Sequence, residues 1–254
     1  MAPAGGGRPR GDRAGRAGSA DTLVAVDVLL IRHGESTNNV LWAGDRDAFL
    51  AERTDDPPLT PLGAEQADRL AEHLRASGER LDRLVCSPML RAIQTAQPVA
   101  AALGVPVEVW VEVHEHGGMY VGNPHTGEGF AVRPGLSRTA IVELLPKALL
   151  PEAVDDDGWW RAGAEGDDVF SARIGDALAR LVDESSRAAN DDVVGVVTHG
   201  AFADALLRAA LGAADAASFH HDNTGLTRLR VQESGRIDVR YVNRTPHLDA
   251  VRSA

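Results

Sequence analysis

Two histidines each stand before a glycine where an apolar run stops: "VLLIRHG" over 28–34 and "VVGVVTHG" over 193–200. Arg32 precedes the first of them, His33; the second is His199. A third run, "LDRLVCS" over 81–87, passes into "PMLRAIQTA", which sets Arg91 near the start of a helix. A fourth, "VPVEVWVEV" over 105–113, ends just before Glu115. Arginines and a helix N-terminus hold anions. Imidazoles and carboxylates move protons at ordinary pH. Gathered in one place, these five side chains make an anion site lined by titratable groups.

Gathering them requires strands that stop at a common edge. Val24 to Ile31 is β-branched, Leu-rich and almost continuously apolar, as in a strand buried on both faces of a parallel sheet. A polar loop with "DDPP" at 55–58 follows. Thr60 then reads as an N-cap and Pro61 as the first position of a helix that carries Leu62, Ala67, Leu70, Ala71 and Leu74 to Gly78. Helices are expected over 88–103, with a kink or break at Pro98, and over 137–149, 167–189 and 201–212. Two final strands flank Ser234-Gly235 as a hairpin. Strands alternating with helices predict an α/β fold: a three-layer α/β/α sandwich with a mostly parallel central sheet and an antiparallel edge. In such a sheet, ligands sit beyond the carboxyl ends of the strands. Residues 114–165, dense in Gly, Pro and His, read as an insertion covering that end.

The 254 residues carry a net charge of −11, which argues against nucleic acid or an anionic membrane as partner. The basic, Gly-rich stretch 1–22 is expected to be a disordered tail, and 23–254 a single domain. No apolar run is long enough to span a bilayer. Cys86 is the sole cysteine, so no internal disulfide can form, and a cytoplasmic location is expected. The spacing of His114, His116, His125, His220 and His221 fits no standard zinc pattern. Trp159-Trp160 is expected to close a small core within the insertion, and Arg133, Arg138 and Arg161 to be solvated loop charges.

The motifs together resemble the histidine phosphatase superfamily, the phosphoglycerate-mutase-like group. They are Arg32-His33-Gly34; Leu59-Thr60 with Gly63, Gln66 and Ala67; Ser87-Pro88 with Arg91-Ala92 and Thr95-Ala96; and Thr198-His199-Gly200. The resemblance implies that His33 is a nucleophile that takes a phosphoryl group onto a ring nitrogen, with Arg32, Arg91 and His199 around the phosphate oxygens. Cations beside His33 would keep it unprotonated. Asn39 matches a phosphate-binding Asn, while Asn38 stands where the family has Trp. Glu115 matches the acid that protonates the leaving oxygen, flanked by His114 and His116. Tyr120 and Asn223 are further candidates for substrate contact, an Asx-type turn being the plainer reading of Asn223.

The implied activity is hydrolysis of a small phosphorylated metabolite through phosphohistidine, without metal or other cofactor. The segment after Glu115 lacks the Lys and paired Arg of the mutases, which favours phosphatase over mutase. Phosphoryl transfer of the mutase type and an inactive binding module on the same fold stand as alternatives. A homodimer is compatible with the sequence.

Overall fold

A computed structural model describes residues 25–44, 46–187, 192–213 and 216–249. The tail expected over 1–22 lies outside the described residues. Six strands form the main sheet in the order β3-β2-β6-β1-β7-β8. They are β1 (Ala25–Arg32), β2 (Arg83–Cys86), β3 (Val107–Val109), β6 (Val193–Thr198), β7 (Leu226–Gln232) and β8 (Ile237–Arg244). β1, β6, β2 and β3 run parallel, and β7 and β8 complete an antiparallel edge. A small separate pair, β4 (Tyr120–Val121) and β5 (Ala131–Val132), lies in the insertion.

The alternation of β1 explains the layers. Leu29 and Ile31 face the core covered by α3 (Pro61–Ala76) and α4 (Leu90–Leu103). Val26, Val28 and Leu30 face the core under α6 (Asp167–Arg187) and α7 (Gly200–Leu211). A strand buried on both faces has no polar side to spare, so its pattern is a continuous apolar run. Among the described residues, no helix is long and apolar enough to cross a membrane.

Local chemistry sets the helix ends. The Thr60 hydroxyl accepts the Gly63 N–H at 3.0 Å, and Pro61 needs no donor partner at the first position. Gly104 and Gly212 end α4 and α7 in the left-handed conformation.

Four expectations need correction. The stretch 37–52, read as polar loop, holds two short helices, α1 (Thr37–Gly44) and α2 (Arg46–Glu52). α4 begins at Leu90 and continues through Pro98 without a break. The third strand stops at Val109 and gives way to a 3-10 turn over Val111–Val113. Its free edge is covered by Leu149, whose N–H and C=O bond Val107 O and Val109 N at 2.8 and 2.9 Å. Finally, Trp159 and Trp160 join Met119, Ile141 and Val154 in the main core under α3 and α4, rather than forming a core of their own. The insertion's helix, α5 (Arg138–Leu144), is capped by Ser137.

Candidate active site

Parallel register brings three strand ends side by side. Arg32 of β1 pairs with Thr198 of β6, and Cys86 of β2 pairs with Val197. His33 N–H then bonds Thr198 O at 2.9 Å and Ser87 N–H bonds Val197 O at 3.0 Å. His33, His199 and Ser87 are therefore neighbours, and the two imidazole centroids lie 5.1 Å apart. Because β7 is antiparallel, its start reaches the same end. Thr224 N–H bonds Arg32 O at 3.0 Å, which brings Asn223 alongside.

His33 is buried, and its Nδ1 lies 2.6 Å from Gly34 O. A carbonyl only accepts, so Nδ1 carries the proton and Nε2 keeps its lone pair. Arg91 Nε donates to that Nε2 at 3.2 Å. Burial, then the charges of Arg91 and Arg32, push the His33 pKa well below its ordinary 6.5. His199 shares a 2.8 Å hydrogen bond between Nε2 and Ser87 Oγ, and burial followed by Arg91 lowers its pKa in the same way. Both rings are neutral near pH 7.

Arg32 donates from one terminal nitrogen to His221 O at 2.5 Å. Its Nε, and Nδ1 of His199, are buried without a hydrogen-bond partner among the described residues. Buried donors and acceptors are ordinarily satisfied. Two orphans near an imidazole lone pair that meets only the Arg91 N–H describe a cradle for a ligand with several oxygen atoms.

The Gly63 and Gly34 motifs serve one close contact. A Cβ on Gly63 would lie 2.0 Å from Glu35 O, and one on Gly34 would lie 2.5 Å from Gly63 O. The chain after His33 thus presses backbone to backbone on the start of α3. Glu35 N–H is held by Gln66 Oε1 at 2.9 Å, and Gly34 N–H by Thr95 Oγ1 at 3.0 Å. Thr95 Oγ1 in turn donates to Arg91 O at 2.7 Å. Gly34, Gly63, Gln66 and Thr95 therefore fix the backbone around His33 and Arg91.

Asn39 Oδ1 accepts from Ser36 N and from Asn223 Nδ2, at 3.0 and 3.2 Å. Asn223 Nδ2 also donates to His33 O at 3.0 Å, so it reaches the site rather than merely closing a turn. Glu115 follows the 3-10 turn, and its Oε1 accepts the Phe202 N–H at 3.2 Å on the first turn of α7, whose N-cap is His199. All five residues of the proposed catalytic set thus gather at one sheet end. Tyr120 stands at the margin, its ring under the Arg53 guanidinium at 4.3 Å.

Other residues escaped the motif reading. Asp56, from the "DDPP" turn, accepts the Leu90 N–H at 2.9 Å and lies 3.9 Å from Arg91. Burial raises its carboxyl to about 6, with Arg91 pulling the other way. Arg53 Nε is buried without a hydrogen-bond partner among the described residues, and its charge acts on Arg91. Neither residue has a periodicity that marks it; only an acid beside a helix start hinted at Asp56. Glu165 and Arg173 form a buried pair behind Glu115. Of the loop arginines, Arg138 bonds the carbonyls of Val154 and Pro151, Arg161 pairs with Asp155, and Arg133 is exposed. Among the described residues, no group of three or more His, Cys, Asp or Glu could hold a metal ion.

Comparison with known proteins bears on the family and the fold. A curated relative, phosphoglycerate mutase-like protein 2 of Arabidopsis thaliana, is 44% identical over 71 residues, which cover 27% of this chain and 21% of that protein. The chain spans only 21% to 28% of the length of the curated relatives it matches first. Among solved structures, alpha-ribazole phosphatase of Shigella flexneri superposes with a TM-score of 0.57 at 21% identity, covering 86% of this chain and 96% of that one. The ecdysone phosphate phosphatase of Bombix mori, solved with tungstate, gives 0.56 at 19% identity, over 85% and 92% of the two chains. At these identities the likeness concerns the fold. A model of the histidine phosphatase superfamily (branch 1) matches residues 28–244. With that span of the chain matched, this protein belongs to the histidine phosphatase superfamily.

Proposed function

We propose that the protein hydrolyses a small phosphomonoester without metal, through a phosphohistidine at His33. The observation that carries this reading is the buried His33 Nε2 lone pair against Arg91, in a site that also holds the Arg32 charge, the His199 ring 5.1 Å away, and Arg32 Nε and His199 Nδ1 without a hydrogen-bond partner among the described residues. On binding, phosphorus would face Nε2 in place of the Arg91 N–H, and the phosphate oxygens would satisfy the orphaned atoms. Arg32, Arg91 and His199 hold those oxygens as charge spreads over them, and Asn39 and Asn223 support the same wall.

In the first step an Nε2–P bond forms and the P–O bond to the leaving alcohol breaks. The leaving oxygen takes a proton from the Glu115 carboxyl group. In the second, water gives a proton back to Glu115 and attacks phosphorus, the N–P bond breaks, and inorganic phosphate departs. Hydrolysis of 4-nitrophenyl phosphate in chelator tests the reading. Wild type is expected to turn over, and His33→Ala to be inactive and to trap no acid-labile phosphoenzyme. Equal rates would remove His33 from the mechanism.

Mutase-type transfer is the second reading, favoured by the name of the Arabidopsis relative. Interconversion of 3- and 2-phosphoglycerate, with and without bisphosphoglycerate, separates the two.

A further inference from the structure

Glu115 sits on a turn that is held from behind. Arg173, on the second turn of α6, donates from one terminal nitrogen to Glu112 O at 2.7 Å and to His114 O at 2.9 Å. Its other edge is taken by Glu165, with Nε and the second terminal nitrogen at 2.8 and 2.6 Å from the two carboxylate oxygens. Glu165 also accepts the Gly117 N–H at 3.3 Å. The turn is therefore gripped at 112, 114 and 117, and Glu115 lies between the grips. The guanidinium centre stands 5.8 Å from the Phe202 ring. Phe202 is also the residue whose N–H meets the Glu115 carboxylate. One cation thus touches the turn that presents the carboxylate and the helix that receives it.

The pair is almost wholly buried, with 2% of the Glu165 side chain and 11% of Arg173 exposed. A buried ion pair is weak grounds for stability, since an apolar pair of similar size often does as well. An apolar pair could not bond two carbonyls and an amide of the turn. The geometry points to the Arg173–Glu165 pair as the positioning element for Glu115, fixing the proton donor against α7 at the distance the leaving oxygen requires. This rests on the reading of Glu115 as the acid. Neither residue is a catalytic residue: among the described residues, the side-chain hydrogen-bond partners of His33 are Gly34 and Arg91, and Arg173 and Glu165 bond the turn, with the Arg173 charge reaching His199 only at a distance.

Leaving-group dependence separates positioning from bulk structure. 4-Nitrophenolate departs as an anion and needs little help, whereas phenolate and 4-methoxyphenolate are more basic and rely on a proton. Values of kcat/KM are measured for 4-nitrophenyl, phenyl and 4-methoxyphenyl phosphate. They report phosphoryl transfer to the enzyme rather than later hydrolysis of the intermediate. Glu165→Gln keeps the shape and loses the charge; Arg173→Lys keeps the charge and loses the fork. Each is expected to lose about tenfold or more on the two basic leaving groups and less than about threefold on 4-nitrophenyl phosphate, since small misplacements of a reacting group are costly. Glu115→Gln should steepen the series in the same way. Uniform loss across the series in both variants, or no loss, with Glu115→Gln steepening it, overturns the positioning role alone. A Glu115→Gln series with unchanged slope removes the acid itself, and this inference with it. Melting curves identify a variant that fails to fold, in which case the other variant decides.

Discussion

Gly63→Ala adds one methyl group where the structure has no space for it. The new carbon would stand 2.0 Å from Glu35 O and 2.8 Å from both Glu35 N and Glu35 C. Carbon and carbonyl oxygen approach to about 3.3 Å, so α3 and the chain after His33 must separate by roughly an ångström. All three atoms are backbone, and no rotamer change can relieve the contact. The bonds from Thr60 N–H to Glu35 O and from Glu35 N–H to Gln66, each 2.9 Å, would stretch with it. His33 is two residues away, so its ring shifts against Arg91. An ångström at the reacting atoms costs about 100-fold in rate, and overpacking costs about 1–3 kcal/mol of stability. The assay is kcat/KM on 4-nitrophenyl phosphate beside a melting curve. Ala64→Gly, exposed in the next position, is the control: about 1 kcal/mol less stable with its rate unchanged. Should Gly63→Ala stay within about threefold of wild type, the close approach does not position His33 and the argument for that motif fails.

Arg91→Lys keeps the charge and loses the Nε contact with His33; a drop in kcat of about 100- to 1000-fold is expected, read at saturating substrate. The pH dependence of stability follows from the buried histidines. His114, His221 and His247 have pKa values lowered by burial to about 4 from 6.5, and His33 and His199 are lowered too. The unfolded chain therefore binds more protons than the native one below pH 6.5, so stability is full above that value and falls toward pH 4. Asp56, raised to about 6, works in the opposite sense between pH 6 and 4 and is outnumbered. Melting temperatures that hold or rise from pH 7 to 4.5 would contradict the burial of these rings. Arg53→Met should weaken inhibition by inorganic phosphate about fivefold, roughly 1 kcal/mol for a cation acting near the anion site. An unchanged inhibition constant would place Arg53 outside the field of the phosphate.

Sequence alone determined the strand buried on both faces, the Thr60 cap, the glycine stops and the four apolar runs that lead to Arg32-His33, Ser87, Glu115 and His199. Those signals are local: apolar period, cap chemistry and a few residues of spacing fall within one element. Only the tertiary structure decided what the elements bring together. Asn223 reaches His33 across 190 residues because β7 runs antiparallel to β1. Arg173 grips the Glu115 turn from a helix about 60 residues later, and Arg53 lies on Tyr120 from a segment that read as loop. Strand register, and the burial that leaves Arg32 Nε and His199 Nδ1 without partners among the described residues, arise only when distant segments close on one another. A charged side chain has the same local pattern whether it ends in solvent or in such a gap, so its role is set by the packing around it.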